Sequence, residues 1–322
     1  MFIAAFTDAE GPGLGIVEGD EIAVIARSDV GAALLGVIEN NPPLSNRQPI
    51  GRVPASSVRF DPPVVSRNRA IICVGKNYHA HAAEFFSSGF DSTAKAAVPE
   101  APVIFAKLGS SLIGAGATID STLDTTQTVD YEGELAVVIG KRAHKVSKAD
   151  AFDVIFGYTI CNDVTSRELQ KHHNQWLIGK SLDTFGPLGP WIVPADQIDD
   201  ITAHELVTTV NGEERQRASI RDLIFDIPTL IETLTATMTL NPGDIIATGT
   251  PAGVGFSRTP PIFLAPGDEV STEITGIGEL RNVCVASAAP TAARRAAWSS
   301  SAAASAAPRR PNTSSAARPP ST

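Results

Sequence analysis

The stretch Asp130-Tyr131-Glu132-Gly133-Glu134-Leu135-Ala136-Val137-Val138-Ile139-Gly140 reads as a polar lead-in to a short apolar run closed by glycine. A run of this length, rich in branched side chains and bounded by a turn residue, makes a strand buried on both faces. On a strand, side chains two residues apart leave the same face. Glu132 and Glu134 are therefore expected to project together at the start of that strand. Two carboxylates held so close resist ionisation unless a cation sits between them. Hard oxygen ligands select Mg²⁺, Mn²⁺ or Ca²⁺ over zinc. Taken alone, the pattern also fits the solvated edge of a sheet, so the weight falls on its surroundings.

Working outward, strand signals dominate from Ala70 to about Ala286: AIICVG, PVIFAK, VIFGYTICND, GPWIVPA, LVTTVNG, DIIATGT and GDEVSTEITGIG. They recur at the spacing of a β-sandwich or roll. Helical periodicity appears over His79–Phe86, Ser166–Gln170 and Ile220–Thr237, with Pro228 set to start or kink the last. Residues 1–65 hold further short strands, a small helix near Asp29–Glu39 and a proline-rich linker, which predicts a small N-terminal β-rich cap before a catalytic domain over residues 66–286. Residues 287–322 are Ala, Ser, Pro and Arg with Trp298 as the one large apolar side chain, so they are expected to stay disordered.

The 322 residues are 43% hydrophobic and 19% charged, ordinary for a globular protein, with a formal net charge of -9. The final segment carries five arginines and no acid, so the rest is more acidic still. That balance argues against nucleic acid as a partner, and a bound divalent cation would invert the local field for an anionic substrate. Cys73, Cys161 and Cys284 lie in apolar runs with no CxxC spacing, which points to buried reduced thiols. The N-terminus lacks the basic flank and apolar core of a signal peptide, and no apolar run is long enough for a membrane span. A cytoplasmic location is expected.

Four further motifs carry chemistry. Phe156-Gly157-Tyr158-Thr159-Ile160-Cys161-Asn162-Asp163 is a strand ending in a third carboxylate, able to complete a three-carboxylate site. Arg167 and Gln170 follow, three apart on one helical face, placed to grip a substrate carboxylate and oxo oxygen. In Asn77-Tyr78-His79-Ala80-His81-Ala82-Ala83-Glu84, one turn separates His81 from Glu84, so the carboxylate can orient the imidazole as a general base. A small-residue stretch from Phe85 to Pro102 follows and reads as a lid. Lys180, between Gly179 and a turn-rich segment, can face a cavity and neutralise enolate charge. Thr248-Gly249-Thr250-Pro251-Ala252-Gly253-Val254-Gly255 keeps backbone N–H groups open, and Thr250 offers a hydroxyl to an anion. Without a GK[ST] ending it is no phosphate loop.

In this order, these pieces resemble the fumarylacetoacetate hydrolase family over about Ala70 to Asn282. Its NYxxHxxE pattern stands as Asn77, Tyr78, His81 and Glu84, its ExE pair as Glu132 and Glu134, and its strand-terminal aspartate as Asp163. The GKxxDxFxPxGP stretch begins at Gly179 and the TGTPxGVG loop at Thr248. The resemblance implies a mainly β fold with some α, a mixed β-roll or β-sandwich core, and a homodimer. It implies Mg²⁺ or Mn²⁺, with Ca²⁺ possible, on Glu132, Glu134 and Asp163, and a small 2-oxo or 2,4-dioxo acid as substrate. Tyr78, Arg167, Gln170 and Thr250 are the expected substrate contacts; His81, Glu84 and Lys180 are the expected catalytic groups.

The leading expectation is hydrolytic cleavage of a carbon–carbon bond in a 2,4-dioxo acid. His81, held by Glu84, activates water, and the metal and Lys180 stabilise the enolate that leaves. The same site also fits an oxaloacetate-type decarboxylase or a hydroxymuconate-type isomerase. A catalytically idle metal-binding protein is the remaining reading, and the presence of His81, Glu84 and Lys180 together argues against it.

Overall fold

Gly133–Ile139 is the centre of the fold, and its own alternation explains why. Leu135, Val137 and Ile139 pack in one core with Leu206, Ile274, Leu280 and the helix Ile227–Thr235. Ala136 and Val138 face the other way, into a core with Leu34, Val37 and Ile38 of the helix Val30–Asn40. The strand is thus covered on both faces, as its unbroken apolar run requires. The computed structural model describes residues 1–40, 43–87 and 98–286; the expected tail and most of the expected lid lie outside the described residues.

The protein is mainly β, built on a large mixed sheet and a second five-stranded sheet. Gly133–Ile139 pairs antiparallel with Ile155–Asn162 on one side and Ile245–Ala247 on the other. Ile245–Ala247 runs parallel to Ile71–Gly75, which pairs with Val103–Lys107. On the far side, Ile155–Asn162 pairs with Gly186–Pro194, which meets Phe2–Asp8 at Ile192 and Ile3. The N-terminal strands Gly11–Glu18, Glu21–Ala26 and Gly51–Pro54 follow in the same sheet. The N-terminal β-rich segment is therefore hydrogen-bonded into the sheet that carries the carboxylates. No helix among the described residues is long and apolar enough to cross a membrane.

The second sheet runs Glu213–Ser219, Glu205–Val210, Glu269–Ile274, Gly278–Val285 and Thr118–Asp120. It packs against the first at Gly133, where an added Cβ would collide with Thr208 Oγ1 and stand 2.8 Å from Thr272 Cγ2. The glycine between the two glutamates is thus a packing requirement. Gly133→Ala is expected to cost about 1–3 kcal/mol, the range for overpacking a filled core, read as a lower denaturation midpoint at unchanged m-value.

The helix expected over Ile220–Thr237 is shorter. It spans Ile227–Thr235, with Pro228 in its first turn and Asp226 as N-cap, accepting from the Thr229 N–H at 2.8 Å. Upstream, Asn77 holds the chain extended: its Oδ1 accepts from the Phe225 N–H at 2.8 Å and its Nδ2 donates to the Phe225 carbonyl at 3.0 Å. The apolar stripe at Leu223 is then a strand-like bridge to Tyr78 rather than a helical face.

Candidate metal centre and active site

Two chain segments bring the three carboxylates together. Glu132 stands just before the central strand and Glu134 within it, while Asp163 follows the end of Ile155–Asn162. The Asp163 N–H donates to the Glu132 carbonyl at 2.8 Å, and the Glu132 N–H donates to Asn162 Oδ1 at 3.0 Å. These bonds fix the two strand ends side by side. One oxygen from each of Glu132, Glu134 and Asp163 lies within 4.8 Å of the others, and all three side chains are buried. A triangle of that size suits one cation with oxygen ligands and leaves room for further ligands.

The charges around the triangle are unevenly matched. Lys180 Nζ donates at 2.7 Å to Glu132 Oε2 and at 2.7 Å to Asp163 Oδ2. Arg167 Nη1 stands 2.5 Å from Glu132 Oε1, and Arg167 Nε donates to Asp130 Oδ2 at 2.9 Å. Lys107 Nζ sits 2.9 Å from Asp163 Oδ1 but aims its hydrogens at the carbonyls of Val164, Lys180 and Phe185, so Oδ1 accepts no hydrogen bond. Glu134 receives one backbone donor, the Gly249 N–H at 2.8 Å.

Protonation follows from this. Burial, then the neighbouring Asp163 and Glu132, push the Glu134 carboxyl well above the usual carboxylate range. Burial also acts to raise Glu132, but Lys180, Arg167 and His81 outweigh it and hold the group at about 2. Burial works against the Lys180 charge, and Asp163 and Glu132 more than restore it, so its pKa is raised. A buried carboxylate oxygen that accepts no hydrogen bond, beside a carboxyl that burial and two flanking carboxylates keep from ionising, suits a divalent cation. The three residues fit such an ion.

His81 lies on the helix His79–Ser87 and shares the wall of a small cavity with Glu132, Glu134, Gln170, Lys180 and Thr250. Its Nδ1 is buried without a hydrogen-bond partner, 3.7 Å from Glu84 Oε2. Glu84 instead accepts from the Gly253 N–H, at 3.2 Å to each oxygen. The expected His–Glu pair is adjacent but not hydrogen-bonded. Thr250 Oγ1 accepts from Gln216 Nε2 at 2.7 Å, which leaves its own O–H to donate into the cavity.

Two expected substrate contacts lie elsewhere. Arg167 is fully buried behind Glu132, bound to Asp130 and donating to Gln170 Oε1 at 3.2 Å, with its guanidinium 4.5 Å over the Phe256 ring. Its position is set by two buried carboxylates, so it braces Glu132 rather than facing the cavity. Tyr78 packs in the apolar core with Leu223 and Leu135, away from the cavity wall, and its hydroxyl is buried without a hydrogen-bond partner. Burial first, then Glu134, raises its pKa far above the ordinary tyrosine value. Tyr78→Phe should leave kcat/KM unchanged and raise stability by about 1 kcal/mol through loss of an unpaired buried hydroxyl; a large activity loss would place the hydroxyl in catalysis.

Reading the sequence left four contributors unassigned. Lys107, fully buried, places its ammonium 2.9 Å from Asp163 Oδ1. Asp130 ties Arg167 to the loop, accepting from the N–H groups of Gly255 at 2.7 Å and Phe256 at 3.1 Å. Gln216 accepts from the Gly133 N–H at 3.1 Å and donates to Thr250 Oγ1 and the Pro251 carbonyl, so it couples the glutamate pair to the threonine loop. Lys76 lines the cavity beside His81.

The family model for the fumarylacetoacetate (FAA) hydrolase C-terminal domain matches residues 70–285, and the chain belongs to that family. Over 227 residues it is 49% identical to oxaloacetate tautomerase YisK of Bacillus subtilis, covering 70% of this chain and 73% of that one. The structure is similar to a fumarylacetoacetate hydrolase from Exiguobacterium antarcticum, with TM-score 0.75, 37% identity and coverage of 89% and 100%. It is also similar to a maleylpyruvate hydrolase from Sphingobium sp. SYK-6 in complex with manganese(II) and pyruvate, with TM-score 0.70, 32% identity and coverage of 89% and 100%.

Proposed function

We propose that this protein is a divalent-metal-dependent enzyme that moves protons on small 2-oxo acids, interconverting the keto and enol forms of an oxaloacetate-type acid. The observation that carries this reading is a cavity walled by Glu132, Glu134 and an imidazole with an unpartnered nitrogen. Glu132, Glu134 and Asp163 would hold Mg²⁺ or Mn²⁺, which supplies Lewis acidity at the 2-oxo oxygen when bound. The manganese and pyruvate named for the Sphingobium structure and the tautomerase named for the Bacillus relative support the same chemistry.

The chain's own groups then divide the work. The Thr250 hydroxyl and the Gln170 amide donate to the substrate carboxylate and orient it. The His81 imidazole takes a proton from C3; the C3–H electrons form the C2–C3 double bond, and charge moves to the 2-oxo oxygen. Lys180, already beside Glu132 and Asp163, places its ammonium where that charge grows. Returning the proton to oxygen gives the enol, and the reverse sequence gives the ketone.

Carbon–carbon hydrolysis of a 2,4-dioxo acid is the second reading. It is favoured by the one-turn spacing of His81 and Glu84, whose 3.7 Å separation is a small rotation away from a hydrogen bond. Full-length protein with Mg²⁺ or Mn²⁺ tests both, against enol-oxaloacetate, keto-oxaloacetate and acylpyruvate, following enol absorbance and released pyruvate. Accelerated keto–enol interconversion without pyruvate supports the first reading, and cleavage of acylpyruvate the second. No acceleration of any substrate over buffer with metal would overturn both.

A further inference from the structure

The second sheet turns a polar rung toward Gly133. Gln216 stands opposite Thr208, and Thr208 opposite Thr272, on three neighbouring strands, with all three side chains buried. The two threonines satisfy each other, their hydroxyl oxygens 3.2 Å apart. Gln216 reaches across to the first sheet and to the threonine loop.

Two backbone groups orient its amide. The Gly133 N–H can only donate, so the atom it meets at 3.1 Å is Oε1. The Pro251 carbonyl can only accept, so Nε2 faces it at 2.8 Å. One hydrogen of Nε2 remains, and it goes to Thr250 Oγ1 at 2.7 Å. An amide nitrogen cannot accept, so the hydrogen of the threonine hydroxyl must point elsewhere. Thr250 lines the cavity, is too buried for bulk water to serve it, and has no acceptor for that hydrogen among the described residues.

We infer that Gln216 is a positioning residue whose amide holds the Thr250 hydroxyl as a donor into the cavity, ready for a substrate carboxylate. A freely turning hydroxyl presents a lone pair to an anion as readily as a hydrogen; the glutamine removes that choice in advance. The same amide is bonded to the glycine between Glu132 and Glu134, so the donor stays in register with the carboxylate triangle. The inference rests on the function proposed above, which places a substrate carboxylate at Thr250.

The test is a double-mutant cycle between Gln216 and Thr250, read by calorimetry as the dissociation constant of pyruvate with saturating Mn²⁺. Pyruvate supplies one carboxylate and needs no turnover. Full chains carrying Gln216→Met, Gln216→Glu, Thr250→Val and both double combinations are compared after thermal melts confirm folding. Thr250→Val should weaken pyruvate about ten- to a hundredfold, the loss of one hydrogen bond to a charged group. Gln216→Met should weaken it about three- to tenfold beside Thr250 and by no more than about twofold beside Val, with Mn²⁺ affinity unchanged. In turnover of oxaloacetate the loss falls on KM, with kcat retained. Gln216→Glu keeps an acceptor for the Gly133 N–H and draws the threonine hydrogen toward itself; its added charge acts in both backgrounds and cancels in the cycle. That variant carries the test where Gln216→Met does not fold. Equal losses in the two backgrounds, or a fall in Mn²⁺ affinity that matches the fall for pyruvate, would overturn the inference. Intact coupling in a wild type that interconverts no keto and enol acid would sink the proposed function alone. A wild type that binds no pyruvate would overturn the carboxylate contact and the role of Gln216 with it.

Discussion

Replacing Glu134 by glutamine will abolish divalent-cation binding and cut turnover by at least about a thousandfold, while leaving the metal-free fold as stable as before or more so. The two halves have one cause. Burial and the flanking Asp163 and Glu132 disfavour the ionised carboxyl, so its pKa in the fold is raised well above 4.5. A carboxyl raised in this way favours the fold below its unfolded pKa, and that contribution is lost as pH rises through the folded value. Glutamine keeps an oxygen for the Gly249 N–H and carries no charge at any pH. Metal-free wild type should therefore lose thermal stability relative to Glu134→Gln between acidic and neutral pH. Glu132 has the opposite sign. Held at about 2 against Lys180 and Arg167, it contributes stability above its unfolded pKa of 4.5 that is lost as pH falls through 2. Glu132→Gln at neutral pH leaves two buried cations short of a partner and should destabilise. Adding Mn²⁺ at a hundred times its Kd should stabilise wild type by about 2.7 kcal/mol through mass action. A matching Mn²⁺ response from Glu134→Gln would remove that carboxylate from the site.

What the sequence disclosed, and what it hid, follows from which forces are local. The Glu132–Glu134 spacing was readable because strand alternation is set by the backbone, and the flanking apolar run marks the strand. Asp163 was readable for the same reason, at the end of a second apolar strand. Gln216 was not, because EERQRAS alternates no apolar face and reads as a loop; it is a strand only because Glu205–Val210 pairs with it. Lys107 ends the strand Val103–Lys107 and gave no sign that three carbonyls and Asp163 converge on its ammonium from elsewhere in the chain. Arg167 was placed on a helix as expected, and its bonds to Asp130 and Glu132 were not legible. Helical spacing aligned it with Gln170, while the carboxylate that captures it, Asp130, comes from a strand 37 residues earlier. The packing of Tyr78 was hidden similarly, since nothing local shows that Asn77 pins the backbone beside a ring that lies in the core.

His81→Asn should lower kcat by about a hundred- to ten-thousandfold, the usual contribution of a positioned acid–base group, with Mn²⁺ binding retained. His81 contacts none of the carboxylate oxygens as a donor, so its loss leaves the triangle and its braces intact. That separation of turnover from metal binding distinguishes it from Glu134→Gln. The companion variant Glu84→Gln then separates the two reactions. In the structure Glu84 accepts from the Gly253 N–H, a bond that glutamine reproduces through its carbonyl oxygen. If His81 moves a substrate proton unaided, Glu84→Gln keeps kcat for keto–enol conversion close to wild type. If His81 activates water with Glu84 as its orienting anion, the same variant loses the charge that raises imidazole basicity, and cleavage of acylpyruvate falls almost as far as in His81→Asn. Full activity in His81→Asn, on every 2-oxo acid, would leave the cavity without its proton-moving group and the mechanism without a first step.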